Sequence, residues 1–301
     1  MSRTLTVLDG GMGRELLRMG APFRQPQWSA LALTEGPEWI VRAHTNFIDA
    51  GADVVTTNSY AIVPFHIGED RFVNEANPLA DIAGRCARAA ADAASRDIRV
   101  AGSLPPLFGS YRPDLFAADD APRIIDPLVE GLAEHVDIWL GETLSSIAEA
   151  RAVRRALERV GDSIRPLWIS YTLDDSSDTA LRSGESVADA VRAAIDLGAT
   201  AVLFNCSQAE TIRRAIPSAV RTSQGEVEVG GYANRFVESH TEVGQANDHL
   251  SEYRHDLDPT TYRDVVAVWI DDGASIVGGC CGIGPDHIAE IAVLATLSAP
   301  R

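Results

Sequence analysis

The stretch "DLGATAVLFNCSQAETIRRAIPSAV" (Asp196 to Val220) contains the repeating element of this chain in one piece. Gly198 closes an amphipathic helix, because glycine accepts the left-handed conformation in which helices commonly stop. Ala201 to Asn205 then forms a short apolar run of strand length, and Ala209 to Val220 returns to helical periodicity. Polar and sulfur-bearing residues, Asn205, Cys206 and Ser207, stand at the turn between the two.

The same unit recurs along the chain. Candidate strands are Leu5 to Leu8, Asp53 to Thr57, Ile98 to Gly102, Val136 to Leu140, Leu167 to Tyr171, Ala201 to Asn205, Glu226 to Tyr232 and Ser275 to Gly278. Between them lie amphipathic segments at Pro37 to Ala50, Asn77 to Ala94, Ile124 to His135, Ser146 to Val160 and Val187 to Leu197. Ala209 to Val220, Thr260 to Ile270 and Pro285 to Leu297 complete the helical series. The turns "DAGAD", "VGDS" and "DDGAS" repeat the glycine stop.

Alternating strands and helices imply a parallel sheet. Eight units in 301 residues predict an α/β fold of the (β/α)8 TIM barrel type, one domain over residues 1–301. A doubly wound open sheet is the alternative, but "GGMG" (Gly10 to Gly13) lacks the spacing of a dinucleotide fingerprint. The one long irregular stretch, Ala233 to Pro259, reads as a lid.

Hydrophobic residues at 46% and charged residues at 23% suit a soluble globular chain with a substantial core. A net charge of −17 repels nucleic acid and anionic membrane surfaces, so neither is an expected partner. The N-terminus "MSRTLTVLDGG" has no signal-peptide apolar stretch and no segment is long enough to span a bilayer, which predicts a cytoplasmic protein. Four cysteines are no disulfide framework in a reducing compartment. They are packing residues, nucleophiles or metal ligands.

Barrel chemistry sits at the C-terminal ends of the strands. Cys206 follows the sixth strand and Cys280 and Cys281 follow the eighth, so the fold brings three thiols to one rim. Cys86 lies on a helix and reads as a small buried hydrophobe. The pair "CC" alone is compatible with packing, a redox couple or a metal; its glycine frame and the third cysteine favour the metal.

Three thiolates suit Zn²⁺, one ion per chain, with a fourth position open for catalysis. Such a site is negatively charged and a weak Lewis acid, yet it lowers the pKa of an incoming thiol from about 8.5 and keeps it nucleophilic. Alkyl transfer to a thiol is the expected chemistry. His287 is the nearest fourth ligand for a closed structural site, but it falls on the last helix.

Six blocks carry a family resemblance: "LDGGMGREL" (Leu8 to Leu16), "WSALALTEGPE" (Trp28 to Glu38), "GADVVTTNSY" (Gly51 to Tyr60), "GET" (Gly141 to Thr143), "NCS" (Asn205 to Ser207) and "VGGCCGIGPDHI" (Val277 to Ile288). In this order and over nearly the whole chain they resemble the homocysteine S-methyltransferases. The resemblance implies zinc on Cys206, Cys280 and Cys281, homocysteine bound as thiolate, and methyl transfer from a sulfonium or quaternary ammonium donor to give methionine. The substrates are small molecules.

An amino-acid substrate needs an anionic partner for its ammonium and N–H donors for its carboxylate. Asp9 and Glu142 are the expected carboxylates, and the backbone of Gly10, Gly11 and Met12 the expected donors. For Asp9 the alternative is a helix N-cap. A cationic donor favours aromatic faces, which makes Trp28 and Tyr60 candidates for its pocket, with Thr57 and Asn58 shaping it.

Two segments depart from the family pattern, "GSLPPLFGSYRPDL" (Gly102 to Leu115) and "GYANRFVESH" (Gly231 to His240). The chain also carries no cobalamin- or folate-binding module and no extension of the betaine-using branch. S-methylmethionine or S-adenosylmethionine is the favoured donor; a betaine-type donor, another thiol or selenol acceptor, or a non-catalytic zinc- and thiol-binding module are the alternatives.

Overall fold

A computed structural model describes residues 5–22, 29–177, 179–237 and 252–298. Its eight strands are β1 (Thr6–Val7), β2 (Val54–Thr56), β3 (Arg99–Leu104), β4 (Ile138–Leu144), β5 (Leu167–Tyr171), β6 (Ala201–Asn205), β7 (Glu228–Ala233) and β8 (Ile276–Gly279). Every pairing is parallel, in the order β1-β8-β7-β6-β5-β4-β3-β2. A parallel bridge between Leu8 and Val54 joins the two ends of the sheet, and Asp9 N–H donates to the Val54 carbonyl at 3.0 Å. The (β/α)8 barrel is thereby closed.

Side chains alternate across each strand, which divides the strands into two packing surfaces. Leu8, Val54, Ala101, Ile138, Leu140, Trp168, Ala201, Leu203 and Ile276 fill the barrel interior. The opposite faces, with Val55, Val100, Trp139, Ile169, Val202 and Val277, join the helices in the larger outer core. Two residues beyond the inner apolar positions, on the same faces, come Ser103, Glu142, Ser170 and Asn205. The plug turns polar at the rim, where a ligand has to be met.

The helices differ from the sequence reading mainly at the second barrel helix and in three short additions. The second barrel helix was expected over Asn77 to Ala94. The helix runs instead from Glu69 to Asp92 with Pro78 inside it, beginning just after Gly68, whose φ of 84° breaks the preceding turn. Proline also lies inside Ala121–Leu132 and Ala209–Ser223. Short helices at Met12–Met19, Ala30–Glu35 and Pro64–Ile67 are additional to the eight expected ones.

β3 and β4 run past their expected ends to Leu104 and Leu144, so Glu142 is within its strand. β7 stops at Ala233, and Phe236 pairs with Tyr253 in an antiparallel bridge. Residues 238–251 of the expected lid lie outside the described residues. No helix among the described residues is long and apolar enough to cross a membrane.

Candidate active site

β6 and β8 deliver the three thiols. Cys206 follows the last residue of β6 in a left-handed conformation, φ 49°, which turns its side chain away from the strand's alternation. Cys280 and Cys281 follow β8, and the next residue, Gly282, has φ 84°. A side chain on Gly282 would be strained there and would meet the Tyr253 ring at 2.8 Å.

The sulfurs of Cys206 and Cys280 lie 2.6 Å apart, and those of Cys206 and Cys281 4.0 Å apart. All three lie within 4.8 Å of one another. Hydrogen bonds from the Cys280 and Cys281 thiols hold Cys206 well below the ordinary thiol range, and the same bonds to Cys206 push Cys280 and Cys281 well above it, so without a cation the cluster holds its negative charge on Cys206. Three soft donors converging around an anionic centre fit a thiophilic cation such as zinc.

The other candidate metal-binding residues are engaged elsewhere. Cys86 is buried on the helix Glu69–Asp92, its sulfur 3.6 Å from the Pro37 carbonyl, and burial pushes its pKa up to about 11. His287 lies in the helix Pro285–Ser298 with Nε2 3.2 Å from the Leu257 carbonyl.

Two carboxylates sit in the same barrel mouth. Asp9 is 4% exposed; one of its oxygens accepts from Thr56 N–H at 2.7 Å and the other from Thr56 Oγ1 at 3.0 Å. Burial, assisted by repulsion from Glu142, pushes its pKa up to about 8 against those two bonds. The alternative role as helix cap does not apply, since Gly11 occupies the N-cap of Met12–Met19 without a side-chain bond.

Glu142 accepts from Ser103 Oγ through Oε1 and from Tyr232 OH at 3.3 Å through Oε2. Burial, with the nearby Cys206 charge, raises its pKa to about 7. Two carboxylates raised by burial, with no cationic side chain bonded to either among the described residues, mark a place suited to a ligand's ammonium.

The glycines of the first loop have a different local reason from the one expected. A Cβ on Gly11 would stand 2.7 Å from the Cys280 carbonyl, so glycine lets the β1 loop pack on the β8 loop. The Gly11 N–H donates to the Ile283 carbonyl at 2.9 Å, which takes that amide away from the expected substrate-carboxylate role. Gly10 lies against the Ile283 carbonyl and Phe47, and Met12 opens the helix Met12–Met19.

Of the expected donor-pocket residues, Trp28 lies outside the described residues. Tyr60 is bonded through its hydroxyl to Ser110 Oγ at 2.7 Å and feels the charge of Cys206. Thr57 and Asn58 are buried and bonded to the protein: Thr57 Oγ1 accepts from Ser103 N–H at 2.9 Å, and Asn58 Nδ2 donates to the Ser29 carbonyl at 3.0 Å. They set the shape of the β2 and β3 ends.

Several residues at the mouth escaped the sequence reading. Tyr232 was legible in principle, since strand parity from Gly230 turns it inward. Tyr111 was not; it lies in the irregular segment after β3 with φ 63°, hydrogen-bonded to Cys206 and with the Arg182 guanidinium 4.5 Å from its ring centre.

A model of the family "Homocysteine S-methyltransferase" matches residues 6–295. Homocysteine S-methyltransferase 3 of Arabidopsis thaliana is 27% identical over 326 aligned residues, covering 95% of this chain and 88% of the relative. A selenocysteine methyltransferase of Astragalus bisulcatus is 28% identical, covering 95% and 90%. Among solved structures, the metallated form of the homocysteine methyltransferase MmuM from Escherichia coli aligns with a TM-score of 0.79 at 25% identity, covering 97% of this chain and 96% of that one.

Proposed function

The chain belongs to the homocysteine S-methyltransferase family, and from that premise we propose that it moves a methyl group from a sulfonium donor, S-methylmethionine or S-adenosylmethionine, to the thiolate of L-homocysteine. Cys206, Cys280 and Cys281 would hold one zinc ion. The observation that carries this reading is the convergence of those three sulfurs within 4.8 Å from two strand ends. Zinc bound there supplies the means to keep an incoming thiol deprotonated and nucleophilic near neutral pH.

The remaining work falls to the chain's own groups. Glu142, oriented by Ser103 and Tyr232, and Asp9, oriented by Thr56, receive the substrate ammonium and exchange their buried protons for it. Gly10 and Met12 remain the backbone candidates for its carboxylate. Tyr60 borders the thiols from β2, where an aromatic face suits a sulfonium.

A second reading keeps the site and changes the acceptor to a selenol, favoured by the selenocysteine methyltransferase among the relatives. One experiment tests both: purified protein is assayed for bound zinc and for product with homocysteine or selenocysteine against a panel of sulfonium and betaine donors. One zinc per chain and methionine from a sulfonium donor are expected. Bound zinc with no methylated product from any pair would sink the reading.

A further inference from the structure

A methyl donor in this mouth meets more than one nucleophile. The thiolate, not the thiol, attacks carbon, and a metal holds its cysteine ligands as thiolates. Cys206, Cys280 and Cys281 therefore compete with the substrate sulfur for the methyl group. If Cys206 attacked, its S–CH3 bond would form as the donor's broke, the electron pair would leave with the donor's thioether, and a ligand would be spent.

Tyr111 stands where it can prevent that loss. It lies in the segment after β3 with φ 63°, a conformation that a bulky side chain keeps only when its surroundings impose it. Two contacts do so. Its hydroxyl is hydrogen-bonded to Cys206, the thiol whose charge it feels most strongly of the three. The Arg182 guanidinium lies 4.5 Å from its ring centre. Arg182 is held in turn: its Nε donates to Thr172 Oγ1, just past β5, at 3.3 Å, and a terminal nitrogen donates to Asp175 at 3.4 Å. The preceding residue, Ser110, bonds the Tyr60 hydroxyl at 2.7 Å, so one short segment sets both tyrosines beside the thiols.

The three sulfurs are not served alike. Cys206 accepts from the Cys280 and Cys281 thiols, from the Tyr111 hydroxyl and from the Cys281 N–H. Metal ligation deprotonates the thiols and removes those two donors, which leaves the Tyr111 hydroxyl and the Cys281 N–H on this sulfur. Cys280 has a contact of 3.9 Å from Asn205 Nδ2, an amide that already donates to Thr143 Oγ1 at 2.8 Å. A hydrogen bond on a thiolate draws its lone-pair density toward the donor and makes it a poorer nucleophile.

Granted the methyl transfer proposed for this site, we propose that Tyr111 directs alkylation away from Cys206 and onto the substrate sulfur by donating its hydroxyl to Cys206 Sγ, and that Arg182 is its positioning residue. Selectivity then depends on a single oxygen. Phenylalanine at this position keeps the ring beside Arg182 and loses the protection.

The test is alkylation of the zinc-loaded protein by iodoacetamide, an uncharged electrophile that puts carbon on sulfur and releases iodide, with each cysteine followed by peptide mass spectrometry. Tyr111→Phe should raise the rate at Cys206 roughly tenfold relative to Cys280 and Cys281, the effect of removing one outer partner of a metal ligand. Arg182→Gln, which removes no donor from the cluster, should act in the same direction by a smaller factor. The comparison among the three sulfurs separates a bond to one of them from a general loosening, because lost zinc or a softened fold exposes all three together. A Cys206 rate unchanged in both variants, or a rise equal at all three cysteines, overturns the proposal. The readout uses neither methyl donor nor acceptor, so failure of methyl transfer with every pair leaves this contrast readable, and a missing contrast leaves methyl transfer untouched.

Discussion

Asn205 grips Thr143 from both sides: its Oδ1 accepts from Thr143 N–H at 2.9 Å, and its Nδ2 donates to Thr143 Oγ1 at 2.8 Å. Ser170 Oγ also donates to that Oδ1, at 2.7 Å. Thr143 and Cys206 are both left-handed, φ 58° and 49°, so the clamp secures two strained residues at the ends of β4 and β6. Thr143 neighbours Glu142, and Cys206 is itself the first of the three thiols.

Asn205→Ala should therefore destabilise the protein by about 3 kcal/mol, because it deletes three buried bonds and leaves partners unsatisfied. Metal retention should fall with it, while Asn205→Asp restores part of the acceptor function only. Chemical denaturation with parallel zinc analysis measures this; a variant as stable and as metal-replete as the parent would show that the strand ends hold themselves.

Cys281→Ala should lose zinc and all turnover, whereas Cys86→Ala keeps both. The sulfur of Cys86 faces only the Pro37 carbonyl, far in sequence and role from the rim. Zinc content by elemental analysis separates the two, and metal lost from the Cys86 variant would remove Cys281 and its neighbours as the ligand set.

Much of this arrangement was readable before the structure, for physical reasons. β5 and β6 have the bounds expected, since each is a mainly apolar run of strand length with polar residues only toward its C-terminal end. The thiols were legible because strand ends in a barrel share one face, however distant in sequence. The second barrel helix was read too short: it begins at Glu69, ahead of the expected Asn77, and carries Pro78 inside it. Ser103 could be paired with Glu142 only once the register of β3 on β4 was known. Tyr111, in a left-handed turn without periodicity, gave no signal at all.

Glu142→Gln should act in opposite directions on stability and on binding. Burial raises the folded-state pKa of Glu142 to about 7 from its ordinary 4.5, so the native state holds a proton that the unfolded state releases between those values. The parent therefore loses stability as pH rises from about 4.5 to about 7, and the glutamine variant does not. At roughly pH 8 the variant should be more stable than the parent by on the order of 2 kcal/mol, and near pH 5 about equal. Homocysteine binding should weaken at least tenfold in the variant, as expected when a buried charge partner for an ammonium is removed, with roughly 2 kcal/mol lost. Calorimetric melting at both pH values and a binding isotherm check this; equal loss of homocysteine and zinc would make Glu142 a structural residue.

His44 offers a test at a site remote from the rim. It is fully buried on the helix Pro37–Asp49, and neither ring nitrogen has a hydrogen-bond partner among the described residues. Burial alone pushes its pKa down to about 3 from 6.5, so the native state stays neutral where the unfolded state takes up a proton. Its contribution to stability is present above about pH 6.5 and is lost as pH falls toward 3. His44→Leu removes both the unsatisfied polar atoms and this acid sensitivity. The variant should gain about 1–2 kcal/mol at neutral pH from the missing desolvation cost, and its advantage should widen by roughly 1.4 kcal/mol for each pH unit below 6. Melting temperatures recorded from roughly pH 7.5 down to 5 decide it: a constant offset between variant and parent would mean that His44 is protonated or paired in the native state.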